Sequence, residues 1–429
     1  MGLNLADSAR ARRWLGGAVG LAVLVQLALF ATATAPGLAG TSDSAYYLHA
    51  AQTLRITGHL LNPDGSAYRY WPPLYPVLLR LCGSLAAVRG LHGLCLLGSL
   101  LLWSWLGARL LPARRALVLP ALLALSTPWL LVSKFVWAES GFLLLFAAYA
   151  VLLFQALRTG RGGWWCAVTV VGFLMPLQRT LGLFLLAGVG AGLLLGQWRR
   201  LAVWSRFWLA LHLAVSAAGG VAWQWYALQI GPSRYHPGRG WGQLLSSAAD
   251  YGFVLSRWLL PLPTAGRMLL PHVVWAVVLL GLFGLLWPRR SLRIGPTDII
   301  PGPTPATSAA EQQGAEVVRQ MLLRTLWSTA LTLVVLVVAF TVFAQSAAGI
   351  HDAERYASVL FAPIIMLALA AWPARASHGL EGILVVAWLI MAALRVGHVA
   401  LDFRRLPPIA PASFAGPGAH GQRVGAASQ

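Results

Sequence analysis

Apolar residues in this chain gather into long unbroken runs instead of the alternating stripes of half-buried strands. Eleven runs approach or reach the length of about 20 residues that carries a helix across a bilayer. They lie at 14–35, 90–111, 116–132, 141–157, 163–177, 181–198, 207–228, 268–287, 325–344, 357–372 and 382–399. Pro176 and the polar triplet Gln178-Arg179-Thr180 predict a break between the fifth and sixth runs, because a mid-helix arginine facing lipid is costly. The first run is too long for a signal peptide and has no small-residue cleavage site before Pro36, so no cleavable leader is expected. The pattern predicts an all-α polytopic membrane protein with about 11 transmembrane helices.

Polar interruptions divide this single transmembrane domain, 1–429. Residues 36–89 form a long loop after the first run, and 229–267 form a second loop. Residues 288–320 are rich in Pro, Gly, Thr and Ser and read as a flexible linker. The tail 406–429 reads as disordered.

Composition agrees with the run lengths. Hydrophobic residues make up 58% of the chain and charged residues 10%, against about 25% charged in soluble domains. That excludes a soluble globular enzyme, and the 20 Trp and 15 Phe exclude a disordered chain. The net charge of +20 would suggest nucleic acid in a soluble protein. Here the arginines instead mark loops retained in the cytoplasm, and no nucleic-acid partner is expected. With the N-terminus inside, short cytoplasmic loops hold Arg109, Arg114, Arg115, Arg158, Arg161, Arg199, Arg200, Arg206 and Arg375. Short outer loops hold only Lys134, Arg179 and Arg355. The loops 36–89 and 229–267 then face outward, and the linker faces the cytoplasm. Cys82, Cys95 and Cys166 all lie in apolar stretches, so no disulfide framework is implied. His49, His59, His236, His272 and His351 lack metal-ligand spacing, and neither a metal nor a cofactor is expected.

The acids are few enough to place singly. None of the 12 lies in the middle of a run, which argues against an intramembrane proton relay. Asp43, Asp64, Glu139, Asp250, Asp352, Glu354 and Asp402 fall on the outer side, together with Arg69, Arg179 and Arg355. Chemistry is expected on that face. Within it, Thr41-Ser42-Asp43 supplies capping residues for a short interfacial helix from Ser44 to Ile56. Tyr46, Ala50 and Leu54 lie on one face of that helix, opposite His49, Gln52 and Arg55. Gly58 and Asn62-Pro63-Asp64-Gly65 end it, and Tyr70-Trp71-Pro72-Pro73 opens a second surface helix over Leu74 to Val88.

In their order, these motifs resemble the GT-C superfamily of membrane glycosyltransferases, which includes protein O-mannosyltransferases and lipid A aminoarabinose transferases. The resembling features are Asp43 in SDSAYYLHAAQTL, the aromatic-Pro-Pro helix start in YRYWPPLYPVLL, Glu139 in KFVWAESGFLLLF, Arg179 in LQRTLGLFLL and Arg355-Tyr356 in HDAERYASVLFAPI. They cover roughly residues 10–200 and 345–372. The resemblance implies transfer of a sugar from a polyprenyl-phosphate donor to an acceptor hydroxyl on a glycan, lipid or protein. Transfer would take place with inversion at the extracytoplasmic face of a bacterial plasma membrane. It implies Asp43 as general base with Glu139 as the second catalytic acid. It further implies Arg69, Arg179 and Arg355 for the donor phosphate, and Tyr46, Tyr47, Tyr70, Trp71 and Tyr75 for the sugar or lipid. Tyr68 belongs to the same aromatic set. One departure is plain: several members carry Lys or Arg directly before the Pro pair, where this chain has Trp71, with Arg69 offered in its place.

Structural readings stand beside the functional ones. Asp43 as a helix N-cap is worth about 1 kcal/mol, Glu139 complements a helix dipole, and Arg179 fits a snorkelling arginine. Asp352, Glu354 and Arg355 fit a solvated charge cluster, and the aromatics fit an interfacial belt among membrane lipids. Two other functions compete. A polysaccharide polymerase or ligase would use the 229–267 loop with Arg234, Arg239 and Asp250; a transporter of lipid-linked substrates would show ionisable residues within spans or helices broken at matching positions in two halves, and the sequence shows neither.

Overall fold

The computed structural model describes residues 5–195, 203–231, 241–261, 268–288, 309–343, 349–372 and 378–410. The described residues form helices without a named strand, apart from isolated bridges between Ala39 and Phe135 and between Leu61 and Ala67. In chain order the helices are α1 (Leu5–Ala33), α2 (Ser42–Thr57), α3 (Leu74–Cys82), α4 (Leu85–Leu110), α5 (Ala113–Ala124), α6 (Thr127–Lys134), α7 (Glu139–Thr159) and α8 (Gly162–Gln178). There follow α9 (Leu181–Gly190, running into a π turn over Ala191–Leu195), α10 (Val203–Ile230), α11 (Gly242–Leu259) and α12 (His272–Leu285). The last are α13 (Ala309–Phe343), α14 (Ile350–Ala357), α15 (Phe361–Ala371) and α16 (His378–Arg405).

The chain is an all-α polytopic membrane protein. Among the described residues, seven stretches are long and apolar enough to cross a bilayer: Arg12–Ala33, Leu85–Leu110, Ala113–Lys134, Glu139–Thr159, Gln313–Val342, Ile350–Ala371 and Gly382–Arg405. Gly162–Gln178, Leu181–Leu194 and His272–Leu285 are apolar but shorter.

Local chemistry explains where the helices stop. The break expected at Gln178-Arg179-Thr180 separates α8 from α9. The run 116–132 is two helices: the Ser126 hydroxyl accepts the Trp129 N–H (3.2 Å), starting α6 afresh with Pro128 in its first turn. The helix expected over 74–88 ends at Cys82, because Gly83 takes φ 68° and Ser84 then caps α4 through the Ala87 N–H (3.2 Å). Consequently α4 begins at Leu85, not at residue 90.

Three further segments are described in part. Residues 242–259, inside the expected second loop, form α11, which buries Tyr251, Val254 and Trp258; residues 232–240, with Arg234 and Arg239, lie outside the described residues. Residues 309–320 of the expected linker are the opening turns of α13, and 289–308 lie outside the described residues. Of the tail, the Ile409 N–H donates to Leu38 O (2.8 Å), and 411–429 lie outside the described residues.

Small residues allow helices to approach closely. A Cβ on Gly188 would come within 2.5 Å of Thr329 Cα, and one on Gly192 within 2.9 Å of Thr325 Cα. This Gly-x-x-x-Gly edge of α9 and the π turn that continues it therefore packs backbone to backbone on α13, as membrane helices do when lipid gives no hydrophobic drive. A second, smaller core forms where α2 and α3 cap the bundle, with Tyr47, Leu48, Tyr68, Tyr75 and Leu79 packed on Val136 and Ala138. The charged site lies beside it.

Candidate functional site

Backbone pairing brings the first two acids together. The segment after α1 lies along the α6–α7 corner: Ala39 N–H donates to Lys134 O (2.9 Å) and Val136 N–H to Ala39 O (3.0 Å). The buried Lys134 ammonium donates to Ala33 O and Gly37 O (3.0 Å each) and fixes the turn leaving α1. The indole of Trp137 donates to Thr41 Oγ1 (2.8 Å), which seats the start of α2 over the start of α7. The Gln178 amide donates to Ala138 O (2.8 Å), so the end of α8 delivers Arg179 to the same corner. From α14 comes Arg355, whose carbonyl accepts the Ser358 hydroxyl (2.7 Å).

Asp43 is not the N-cap of α2. Thr41 occupies that position, its N–H donating to Ser44 Oγ (3.0 Å), and Asp43 sits in the first turn with its side chain turned elsewhere. Its Oδ2 meets Arg355 Nη1 at 2.8 Å. Arg355 Nε also donates to Glu139 Oε1, and its Cζ lies 4.0 Å from the Trp137 ring centre. Arg179 Nη2 approaches the same Glu139 oxygen at 3.2 Å, and its Nη1 reaches the Tyr47 hydroxyl at 3.5 Å. The result is a chain of alternating charge, Asp43–Arg355–Glu139–Arg179, two carboxylates against two guanidinium groups.

Exposure divides the four. The Glu139, Arg355 and Arg179 side chains are 4%, 8% and 9% exposed, and Asp43 is 22% exposed. Asp43 is therefore the most open of the four, and its Oδ1 has no protein partner among the described residues. Glu139 Oε2 and Arg355 Nη2 are buried and have no partner among the described residues. Leaving buried charged atoms unpaired is expensive, and such atoms mark places where a ligand or water belongs.

The aromatic residues form one cluster around Trp71. Its ring centre lies 4.9 Å from Tyr46, 5.8 Å from Tyr47, 6.2 Å from Tyr68 and 5.9 Å from Tyr70. The face of α2 that is buried is Ser44, Tyr47, Leu48 and Ala51, not the expected stripe of Tyr46, Ala50 and Leu54, although Ala50 is buried too. Burial pushes the Tyr47 phenol above its ordinary range, so it stays a neutral hydrogen-bonding partner for Arg179. Tyr75 is fully packed and shares a hydrogen bond with His92 (3.0 Å), a supporting position instead of a contact surface.

Arg69 is not part of the charge chain. Its guanidinium lies over Tyr70 (5.0 Å) and donates to the Tyr70 hydroxyl at 3.2 Å. Glu354 also points elsewhere, to Arg395 (3.6 Å) and Thr127 (3.5 Å), tying α14 to α16 and α6. The sequence assigns no site role to Trp137, to Gln178 or to Tyr356, whose ring lies 5.6 Å from the Arg179 Cζ. Their only signal was adjacency: each lies within two residues of a charged member of the site.

No protein-family model matches the chain, and no curated protein matches its sequence. Solved structures match in shape. The crystal structure of ArnT from Cupriavidus metallidurans bound to undecaprenyl phosphate aligns with a TM-score of 0.55 at 16% identity, covering 90% of this chain and 76% of ArnT. The apo ArnT structure from the same organism gives 0.56 at 14% identity over 91% and 76%. The arabinosyltransferase EmbB from Mycobacterium smegmatis gives 0.45 at 15% identity, covering 90% of this chain and 41% of EmbB. The chain shares the fold of these ArnT structures.

Proposed function

We propose that this protein is a membrane glycosyltransferase that moves a sugar from a polyprenyl-phosphate donor to an acceptor hydroxyl at the extracytoplasmic face. The observation that carries the reading is the half-open Asp43 carboxylate, paired through one oxygen with Arg355 and without a partner at the other among the described residues. It stands on a fold shared with a protein crystallised with undecaprenyl phosphate.

The chemistry follows from charge and reach. The acceptor oxygen attacks the anomeric carbon while Asp43 Oδ1 takes its proton. The bond from that carbon to the phosphate oxygen breaks on the opposite face, with inversion, and its electron pair leaves on the lipid phosphate. The sugar is oxocarbenium-like at the transition state, where the Asp43 carboxylate also offsets positive charge. Arg355 and Arg179 suit the departing phosphate, since guanidinium groups offer planar, paired donors. A phosphate drawing Arg355 toward itself would release Asp43 Oδ2, coupling donor binding to freeing of the base. Glu139, whose Oε1 holds both arginines, is the positioning anion of the site. Tyr46, Tyr70 and Trp71 are half-buried and suit a sugar face or a lipid chain, while Arg69 is reserved for the outer part of the donor.

The test is transfer in nanodiscs from a panel of polyprenyl-phosphate sugars, comparing wild type with Asp43→Asn. The variant is expected to insert and purify normally and to lose about 10²–10⁴-fold in rate. Unchanged transfer would remove Asp43 as the base.

A further inference from the structure

Beside residues 35–38, a cleft of about 790 Å³ opens between α1, α4 and residues 408–409. That volume lies within the range of small-molecule sites, about 300–1,000 Å³. Its walls are aliphatic, with Leu27 and Phe30 of α1 facing Leu94 and Leu97 of α4. From Arg89 to Leu97 the cleft follows α4 for about 12 Å, at 1.5 Å per residue. Gly90 forms part of the floor, with open space where a Cβ would stand.

One charge interrupts the apolar lining. Arg89 sits at the end where α1 terminates, and only its Nε is engaged, donating to Thr34 Oγ1 at 2.8 Å. It has no carboxylate partner among the described residues. Lys134 flanks the same turn through Ala33 O and Gly37 O. Two full cations thus meet at one helix C-terminus, whose dipole supplies about half a negative charge. Hydrocarbon alone would fill the walls; the uncompensated positive charge at the mouth calls for an anion.

We infer that this cleft seats an anionic phospholipid, with one acyl chain along α1 and α4 and its phosphate on Arg89. None of its lining residues belongs to the Asp43–Arg355–Glu139–Arg179 chain, so the seat is separate from the proposed reaction site. A chain of methylenes matches the aliphatic walls, and a phosphate matches the free Nη groups of Arg89.

The full-length protein in phosphatidylcholine nanodiscs, doped with phosphatidylglycerol carrying a diazirine near its chain terminus, provides the test. Cross-links are expected at residues 27–38 and 85–97, and unlabelled phosphatidylglycerol should compete them away. Gly90→Leu, which fills open space without a clash, should abolish them. Arg89→Gln keeps polar reach without charge and should weaken competition about tenfold, the loss of one charged hydrogen bond. Gel filtration and thermal unfolding identify any variant that fails to fold, and for such a variant the competition is repeated with wild type against phosphatidylcholine. Equal competition by phosphatidylcholine, or indifference to Arg89→Gln in a folded protein, means an ordinary annular lipid and overturns the proposal. Competition by undecaprenyl phosphate alone overturns it in favour of a polyprenyl seat.

Discussion

One carboxylate oxygen, Glu139 Oε1, receives both Arg355 and Arg179, and all three side chains are largely buried. Removing a buried charge leaves its partners uncompensated, at a cost of about 3–5 kcal/mol. Glu139→Gln should therefore lower the thermal midpoint markedly and also weaken donor binding, both readable in detergent. Asp43→Asn removes a half-open partner and should lower stability by about 1 kcal/mol or less. A large melting shift for Asp43→Asn with none for Glu139→Gln would invert the assigned roles. Arg179→Lys keeps the charge but not the planar fork, and should weaken donor binding about tenfold, measured by competition with the lipid phosphate. The motifs around Asp43, Glu139, Arg179 and Arg355 were legible because each charge stands alone among apolar residues. Sequence could not separate Arg69 from the other two arginines. All three fall on the same expected face, and only folding brings Arg179 and Arg355 within reach of one acid while leaving Arg69 on Tyr70.

Helix ends in this protein are tied by side chains from distant helices. Arg319 donates to Leu110 O at the end of α4 (2.7 Å), Arg115 to Leu369 O in α15 (3.0 Å), and Arg395 to Arg257 O in α11 (2.7 Å). These cations satisfy carbonyls that have no partner inside their own helix and offset the negative end of its dipole. Charge counting had assigned Arg115 only to topology; packing gives it a second task. Between α9 and α13, Gly188 leaves no room for a side chain beside Thr329. Gly188→Leu should force the helices apart at a cost of about 1–3 kcal/mol, seen as a lower thermal midpoint. Gly281→Leu, placed in open space on α12, should not. Equal effects would show that the close approach is not what holds α9. The helix α11 escaped the sequence reading because Ser246, Ser247, Asp250, Ser256 and Arg257 interrupt its apolar residues. Its Gly252 packs against the Trp275 carbonyl of α12, a contact no local pattern reports.

Across the whole molecule, the ends of α7 set the orientation of the site. Its 21 residues span about 30 Å, enough to place Glu139 and Thr159 on opposite sides of a bilayer. In a protein with Cys82, Cys95 and Cys166 replaced, exposed Ser42→Cys should react with an impermeant maleimide on intact cells. Exposed Arg161→Cys should react only after permeabilisation. The reverse pattern would put the charge chain on the cytoplasmic side and defeat an extracytoplasmic reaction. By itself the sequence determined membrane residence and the positions of most helices, because apolar length and helix-breaking residues act locally. Tertiary structure alone decided that Asp43, Glu139, Arg179 and Arg355 form one chain of charge while Glu354 and Arg69 do not. Ion pairing depends on which helix ends converge, and that is fixed by packing among segments far apart in the chain.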